Sequence, residues 1–79
     1  MKPEIIEKVN EFLTEEFEID SAILTPEARI VEDLGIESLD FVDIVVIIER
    51  DFGFKVKRED MAGIRTLEDL YKYIDFRAV

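Results

Sequence analysis

The sequence predicts an all-α fold: a small four-helix bundle, with three longer helices and a short third one, and a long ordered loop between helices 1 and 2. Three observations carry that expectation. Apolar residues recur at intervals of three and four in three separate segments. Those segments begin or end at residues with defined capping roles, Pro3, Gly53 and Thr66. No repeat, linker or low-complexity tract divides the 79 residues, so residues 1–79 are expected to form a single domain around one core.

The first helix is expected from Pro3 to about Phe17. Proline at the first helical position gives up an N–H that has no partner there, and Glu4 and Glu7 complement the positive end of the helix dipole. Ile5, Ile6, Val9, Phe12, Leu13 and Phe17 share one face, and Glu4, Lys8, Glu11 and Glu15 share the other. The connection from about Glu18 to Glu37 carries turn signals at Asp20-Ser21, Thr25-Pro26 and Gly35. It also carries Ile19, Ile23, Leu24, Ile30, Val31 and Leu34. Structureless loops of this length are uncommon in compact domains, so it is expected to pack down and to contain a turn or two of helix. Gly35 reads either as a turn needing positive φ or as a clearing beside Ser38. The second helix is placed from about Ser38 to Phe52, where Gly53 supplies a left-handed stop. A single helical turn is expected at Arg58 to Ala62, closed by Gly63. The last helix begins at Thr66, which has capping-box spacing to Asp69, and turns Leu67, Leu70, Tyr71, Tyr73 and Ile74 inward.

Composition narrows the function. A hydrophobic fraction of 48% supplies a core despite 38% charged residues. There is no cysteine for a disulfide or a thiolate metal site, and no histidine to act as general base or zinc ligand. An independent hydrolase cannot be assembled on the usual Ser-His-Asp plan, and no stretch follows the calcium-loop spacing, so neither an enzyme nor a metal site is expected. Twenty acidic against ten basic residues give a formal charge of −10, which disfavours nucleic acid and anionic membranes and favours basic protein partners. The N-terminus lacks the apolar stretch of a signal peptide, and the longest aliphatic run, Ile44 to Ile48, is far short of the ~20 residues that cross a bilayer. A soluble, cytoplasmic monomer without membrane insertion is expected.

The second helix is unusual in having two apolar faces. At about 100° per residue, with Leu39 at zero, Phe41, Ile44, Val45, Ile48 and Phe52 fall between roughly 140° and 240°, and Leu39, Val42 and Val46 fall on the opposite side. Asp40, Asp43 and Arg50 border that second stripe on one flank and Glu49 on the other. Either the helix is buried nearly all round, or Leu39, Val42 and Val46 form an exposed patch ringed by acids, which on a small domain marks a partner site. Ser38 stands at the head of this helix. Serine there is a favoured N-cap, and an exposed hydroxyl at a helix N-terminus also suits a phosphoryl group. The two readings are compatible.

The stretch "EDLGIESLDFVDIVVIIERDFGF" resembles the signature of acyl carrier proteins, roughly E-D-L-G-x-D-S-L-D-x-V-E-L-V. Here it runs Glu32-Asp33-Leu34-Gly35-Ile36-Glu37-Ser38-Leu39-Asp40, then Val42-Asp43-Ile44-Val45. The resemblance extends to helix order, loop length and charge sign over nearly the whole chain. It implies that Ser38 carries 4′-phosphopantetheine, taken from coenzyme A by a separate phosphopantetheinyl transferase, and that acyl groups ride as thioesters on that arm. Such a carrier serves acyl-transferring and chain-elongating enzymes with basic docking surfaces, in fatty acid biosynthesis or related lipid and polyketide metabolism. The resemblance assigns docking to Glu37, Leu39, Asp40, Val42, Asp43, Val46 and Glu49. It assigns shelter of the acyl chain to the core side of the second helix, Ile44, Val45 and Ile48, with Ile30, Ile64 and Tyr71 nearby.

Two positions depart from the family pattern. The acid before the serine is usually Asp and here is Glu37, which changes how a carboxylate meets the transferase or its metal. Arg50 lies on the rim of the docking face, where it can pair with Glu49 or Asp43. The alternative to a carrier is an acidic helical adaptor that keeps the docking face and is never pantetheinylated.

Overall fold

The computed structural model describes residues 2–77; of the expected 1–79 span, Met1, Ala78 and Val79 lie outside the described residues. Helix α1 is Pro3–Phe17, α2 is Asp40–Phe52, α3 is Arg58–Met61 and α4 is Leu67–Arg77, with one 3₁₀ turn at Ser21–Ile23 in the long loop. Three longer helices and a short third one are as the sequence predicts, and no strand occurs among the described residues.

Each helix end follows from its local chemistry. Pro3 opens α1, and Glu18 closes it in the left-handed region at φ 55°. Gly53 closes α2 at φ 76°, its N–H donating to the Glu49 carbonyl. At α4 the capping box is formed in both directions: the Asp69 N–H donates to Thr66 Oγ1 at 3.2 Å, and the Thr66 N–H donates to Asp69 Oδ2 at 3.2 Å. A second backbone N–H, that of Arg65, also donates to this carboxylate, and these donors hold the Asp69 carboxyl below its ordinary value.

The loop is ordered because its backbone is stitched to the start of α4. Ile30 N donates to the Arg65 carbonyl, while Leu67 N and Glu68 N donate to the carbonyls of Ala28 and Pro26. The N-terminal amides of α4 thereby gain partners that helix geometry alone denies them. Ile19, Ala28, Ile30, Leu34 and Ile36 are buried from this segment, so the loop packs down as expected, although Ile23 and Val31 stay exposed.

Among the described residues the buried side chains form one cluster, built from Ile5, Val9, Phe12 and Leu13 of α1, the loop, α2, Val56 and Ile64 on either side of α3, and Leu67, Leu70, Tyr71 and Ile74 of α4. Helices α1 and α4 lie against each other, and the Tyr71 hydroxyl donates to Asn10 Oδ1 across that contact. Tyr71 brings a phenol into this interface, and burial pushes its pKa up.

The core side of α2 is rotated from the predicted stripe. Ile44, Ile47 and Ile48 are buried, while Phe41, Val45 and Phe52, expected to face inward, are only half-buried. On the same helical projection Ile47 sits at about 80°, outside either predicted stripe. The core thus takes the arc around Ile44, and Phe41 and Val45 are left at its edge.

Candidate functional site

Ser38 is presented by an anchored turn. The Arg29 N–H and guanidinium both donate to the Asp33 carboxylate, at 2.8 Å from the backbone and 3.2–3.3 Å from the side chain. The guanidinium, followed by the backbone N–H, holds the Asp33 carboxyl below its ordinary range. Leu34 and Ile36 are buried on either side of Gly35, whose φ of 72° is the left-handed turn that glycine supplies. The chain therefore leaves the core at Glu37 in a fixed direction.

Ser38 is not the N-cap. The first helical bonds run from Asp40 N to Glu37 O and from Phe41 N to Ser38 O, the cap position falls to Leu39, and no side chain caps the helix there. Instead Asp40 reaches back, its Oδ2 accepting from Glu37 N at 3.0 Å. Among the described residues no hydrogen bond engages the Ser38 hydroxyl, which is exposed. A hydroxyl freed from capping is available for chemistry on its oxygen.

Of the expected docking residues, Leu39, Val42 and Val46 are 80%, 54% and 57% exposed, which excludes a helix buried all round. Glu37 and Asp43 are exposed beside them, and Asp40 and Glu49 are half-buried. Arg50 pairs with neither Glu49 nor Asp43. Its guanidinium meets Asp51 at 3.0 Å and Glu16 of α1 at 3.2 Å, so the rim cation is drawn toward α1.

The exposed stripe forms one bank of a groove of about 470 Å³. Phe41, Val42, Val45 and Val46 supply that bank, with Ser38 and Leu39 at its head. Val56, Arg58 and Met61 supply the other bank. The volume lies within the roughly 300–1,000 Å³ common for small-molecule sites. Of the six residues expected to shelter an acyl chain, only Val45 lines this groove. Ile30, Ile44, Ile48 and Tyr71 fill the core, and Ile64 borders a second space of about 290 Å³ together with Phe41 and Met61. The second bank went unread because its residues sit in a short polar-looking stretch; the signal available was Val56 and Met61, isolated apolar residues flanking charged ones.

Among the described residues no three acids gather closely enough to hold a metal ion, and no helix is long and apolar enough to cross a membrane.

Comparison with known proteins agrees with this geometry. Residues 7–74 match the family described as phosphopantetheine attachment site. The acyl carrier protein of Thermotoga maritima is 39% identical over 74 residues, covering 94% of this chain and 91% of the relative. That of Syntrophobacter fumaroxidans is 37% identical over 67 residues, covering 85% and 83%. The chain belongs to the acyl carrier protein family, whose cofactor is phosphopantetheine, and it is a carrier rather than an enzyme. An exposed, uncapped hydroxyl beside an apolar groove fits such a group: one end needs an accessible oxygen to esterify, and the other needs apolar surface for its cargo.

Proposed function

We propose that Ser38 is the attachment point of 4′-phosphopantetheine and that the chain, as one domain over residues 1–79, delivers acyl groups to basic-faced enzymes of fatty acid or related acyl and polyketide metabolism. The observation that carries this reading is the Ser38 hydroxyl, exposed and free of the helix cap at the head of an apolar groove. With no histidine in the chain, the base that accepts the Ser38 proton comes from a separate transferase. Ser38 Oγ then forms a new phosphoester bond to the pantetheine-bearing phosphorus of coenzyme A, and the nucleotide half leaves. When bound, the group supplies the thiol that carries acyl thioesters.

The rest of the site acts through this chain's own residues. Leu39, Val42 and Val46 offer apolar contact, while Glu37, Asp40, Asp43 and Glu49 offer the charge that steers a basic partner. Val45, with Phe41 and Met61, lines the space in which an acyl chain leaves water. Ile30, Ile44, Ile48 and Tyr71 support that shelter from behind as packed core, and Ile64 borders the space beyond. The charge of −10 favours a monomer, and the cytoplasm is its proposed location.

Intact mass after incubation with coenzyme A, magnesium and a broad-specificity phosphopantetheinyl transferase tests the reading. A gain of one phosphopantetheine is expected, with none in Ser38→Ala. No gain with several transferases would identify Glu37 as a disabling change and leave the chain as an acidic helical adaptor using the same α2 face.

A further inference from the structure

Helix α3 has four residues, too few to be stable from its own hydrogen bonds, yet it carries one bank of the groove. It is held from behind. Asp60 Oδ2 accepts from the Tyr73 hydroxyl at 2.8 Å and from Arg77 Nη1 at 3.4 Å. Arg77 Nη2 donates to the Lys55 carbonyl at 3.1 Å, ahead of α3, and the guanidinium lies 5.3 Å from the Phe54 ring centre and 5.7 Å from that of Tyr73. Both partners of the Asp60–Arg77 pair are about 30% exposed, whereas every other ion pair described has one partner more than half exposed, so water screens it less. Apart from the Arg77–Tyr73 contact, which is internal to α4, these contacts join α4 to the segment Phe54–Asp60, and none of the clasp residues lines the groove itself.

What the clasp positions is Met61. That side chain and Phe41 border both the groove beside Ser38 and the second space of about 290 Å³, so the two together stand between them. Phe41 is fixed on α2. Met61 is unbranched and adaptable, and its place depends on where α3 is held.

We propose that the Asp60–Tyr73–Arg77 clasp gauges acyl-chain length: it sets α3 so that Met61 meets Phe41 and ends the groove, admitting short chains and stopping longer ones. This rests on the reading that the arm sits on Ser38 and its cargo enters the groove. Asp60, Tyr73 and Arg77 are positioning residues, acting through Met61.

The test loads wild type, Arg77→Gln, Asp60→Asn and Met61→Ala with hexanoyl, decanoyl and tetradecanoyl arms from the matching coenzyme A thioesters. Thioester cleavage by hydroxylamine and amide exchange of α3 in the unloaded protein are then measured. In wild type, protection should rise from hexanoyl to decanoyl and then level off. Met61→Ala should extend protection to tetradecanoyl without changing α3 exchange. The two clasp variants should do the same while speeding α3 exchange by about tenfold, the effect of losing one hydrogen bond to a charged group. A clasp with a merely structural role would lower protection equally at all lengths, and such parallel profiles would overturn the proposal. So would unchanged α3 exchange in the clasp variants, or a Met61→Ala profile that still levels off. Failure of wild type to gain any arm would be read directly from intact mass, and would overturn the Ser38 reading and the length gauge with it.

Discussion

The two sides of α2 carry the same kinds of residue and meet opposite environments. Ile44, Ile47 and Ile48 are 1%, 5% and 0% exposed, inside a cluster that α1, α4 and the loop complete. Val42, Val46 and Leu39, on the other side, are left to solvent, faced only by Val56 and the short α3 across a groove. Hydrophobicity alone therefore did not decide burial. Coverage did, and a chain of 79 residues has too few elements to cover a central helix all round. The covered side holds the fold, and the uncovered side is where Ser38 and the groove lie. Changes on one side should leave the other side's property nearly untouched, and four experiments press on that separation.

The largest effect is expected from placing a charge on each side in turn. Ile48→Asp puts a carboxylate where the side chain has no access to water, and a cost above about 4 kcal/mol should leave the domain unfolded. Val46→Asp changes an exposed position, with an effect within about 0.5 kcal/mol. Thermal melts followed by circular dichroism separate these outcomes. Equal losses would mean that the outer stripe is covered in solution.

The reverse experiment alters function and spares the fold. Asp43→Lys combined with Glu49→Lys reverses charge beside the exposed stripe, and arm transfer to Ser38 should slow by about tenfold or more as steering toward a basic transferase is lost. The melt should change little, because both residues lie outside the buried cluster. An unchanged transfer rate would remove these two acids from the docking face.

How much of this separation can be read in the sequence differs by element. The end of α2 at Gly53 and the capping box at Thr66 and Asp69 are legible because each is a local rule, satisfied within three or four residues. The two-faced character of α2 is legible as well, since periodicity reports it directly. Its exact rotation is not: Ile47 is buried because neighbours distant in sequence come to that side, and periodicity carries no such information. Ser38 looks like an N-cap, but the Asp40 and Phe41 N–H groups that its hydroxyl would accept from donate instead to the Glu37 and Ser38 carbonyls. Arg50 passes over Asp43 and Glu49 on its own helix for its neighbour Asp51 and for Glu16, 34 residues away. The clasp from Asp60 to Tyr73 and Arg77 likewise depends on how α3 and α4 come together.

A smaller effect is expected from the scaffold alone. Thr66→Ala removes the oxygen that receives the Asp69 N–H, and should cost about 1 kcal/mol while leaving arm transfer unchanged. Its partner adds a pH dependence. The Asp69 carboxyl is held below its ordinary value of 3.8 in the folded chain, first by the Thr66 N–H and then by that of Arg65. A lowered folded-state pKa gives stability that is fully present above 3.8 and is lost as pH falls through the lowered value. The melting difference between wild type and Asp69→Asn should therefore shrink as the solution is acidified below that point. A difference that grows on acidification would put the sign, and hence the cap, in question.

The smallest effect lies at the end of α1. Glu18 occupies the left-handed region at φ 55°, the one residue other than glycine to do so among those described, while the equivalent place after α2 is taken by Gly53. A side chain there is strained by its Cβ, whereas glycine fits but gives the unfolded chain more freedom to lose. These terms oppose each other, and the strain is the larger, so Glu18→Gly should stabilise by about 0.5 kcal/mol. Glu18 is exposed and contributes nothing to the groove or to the stripe beside it, so arm transfer should proceed at the wild-type rate. A stabilised chain with a changed transfer rate would show that the covered scaffold and the Ser38 turn are mechanically coupled. The route would be through Ile19, which follows Glu18 and is buried in the same cluster as Leu34 and Ile36.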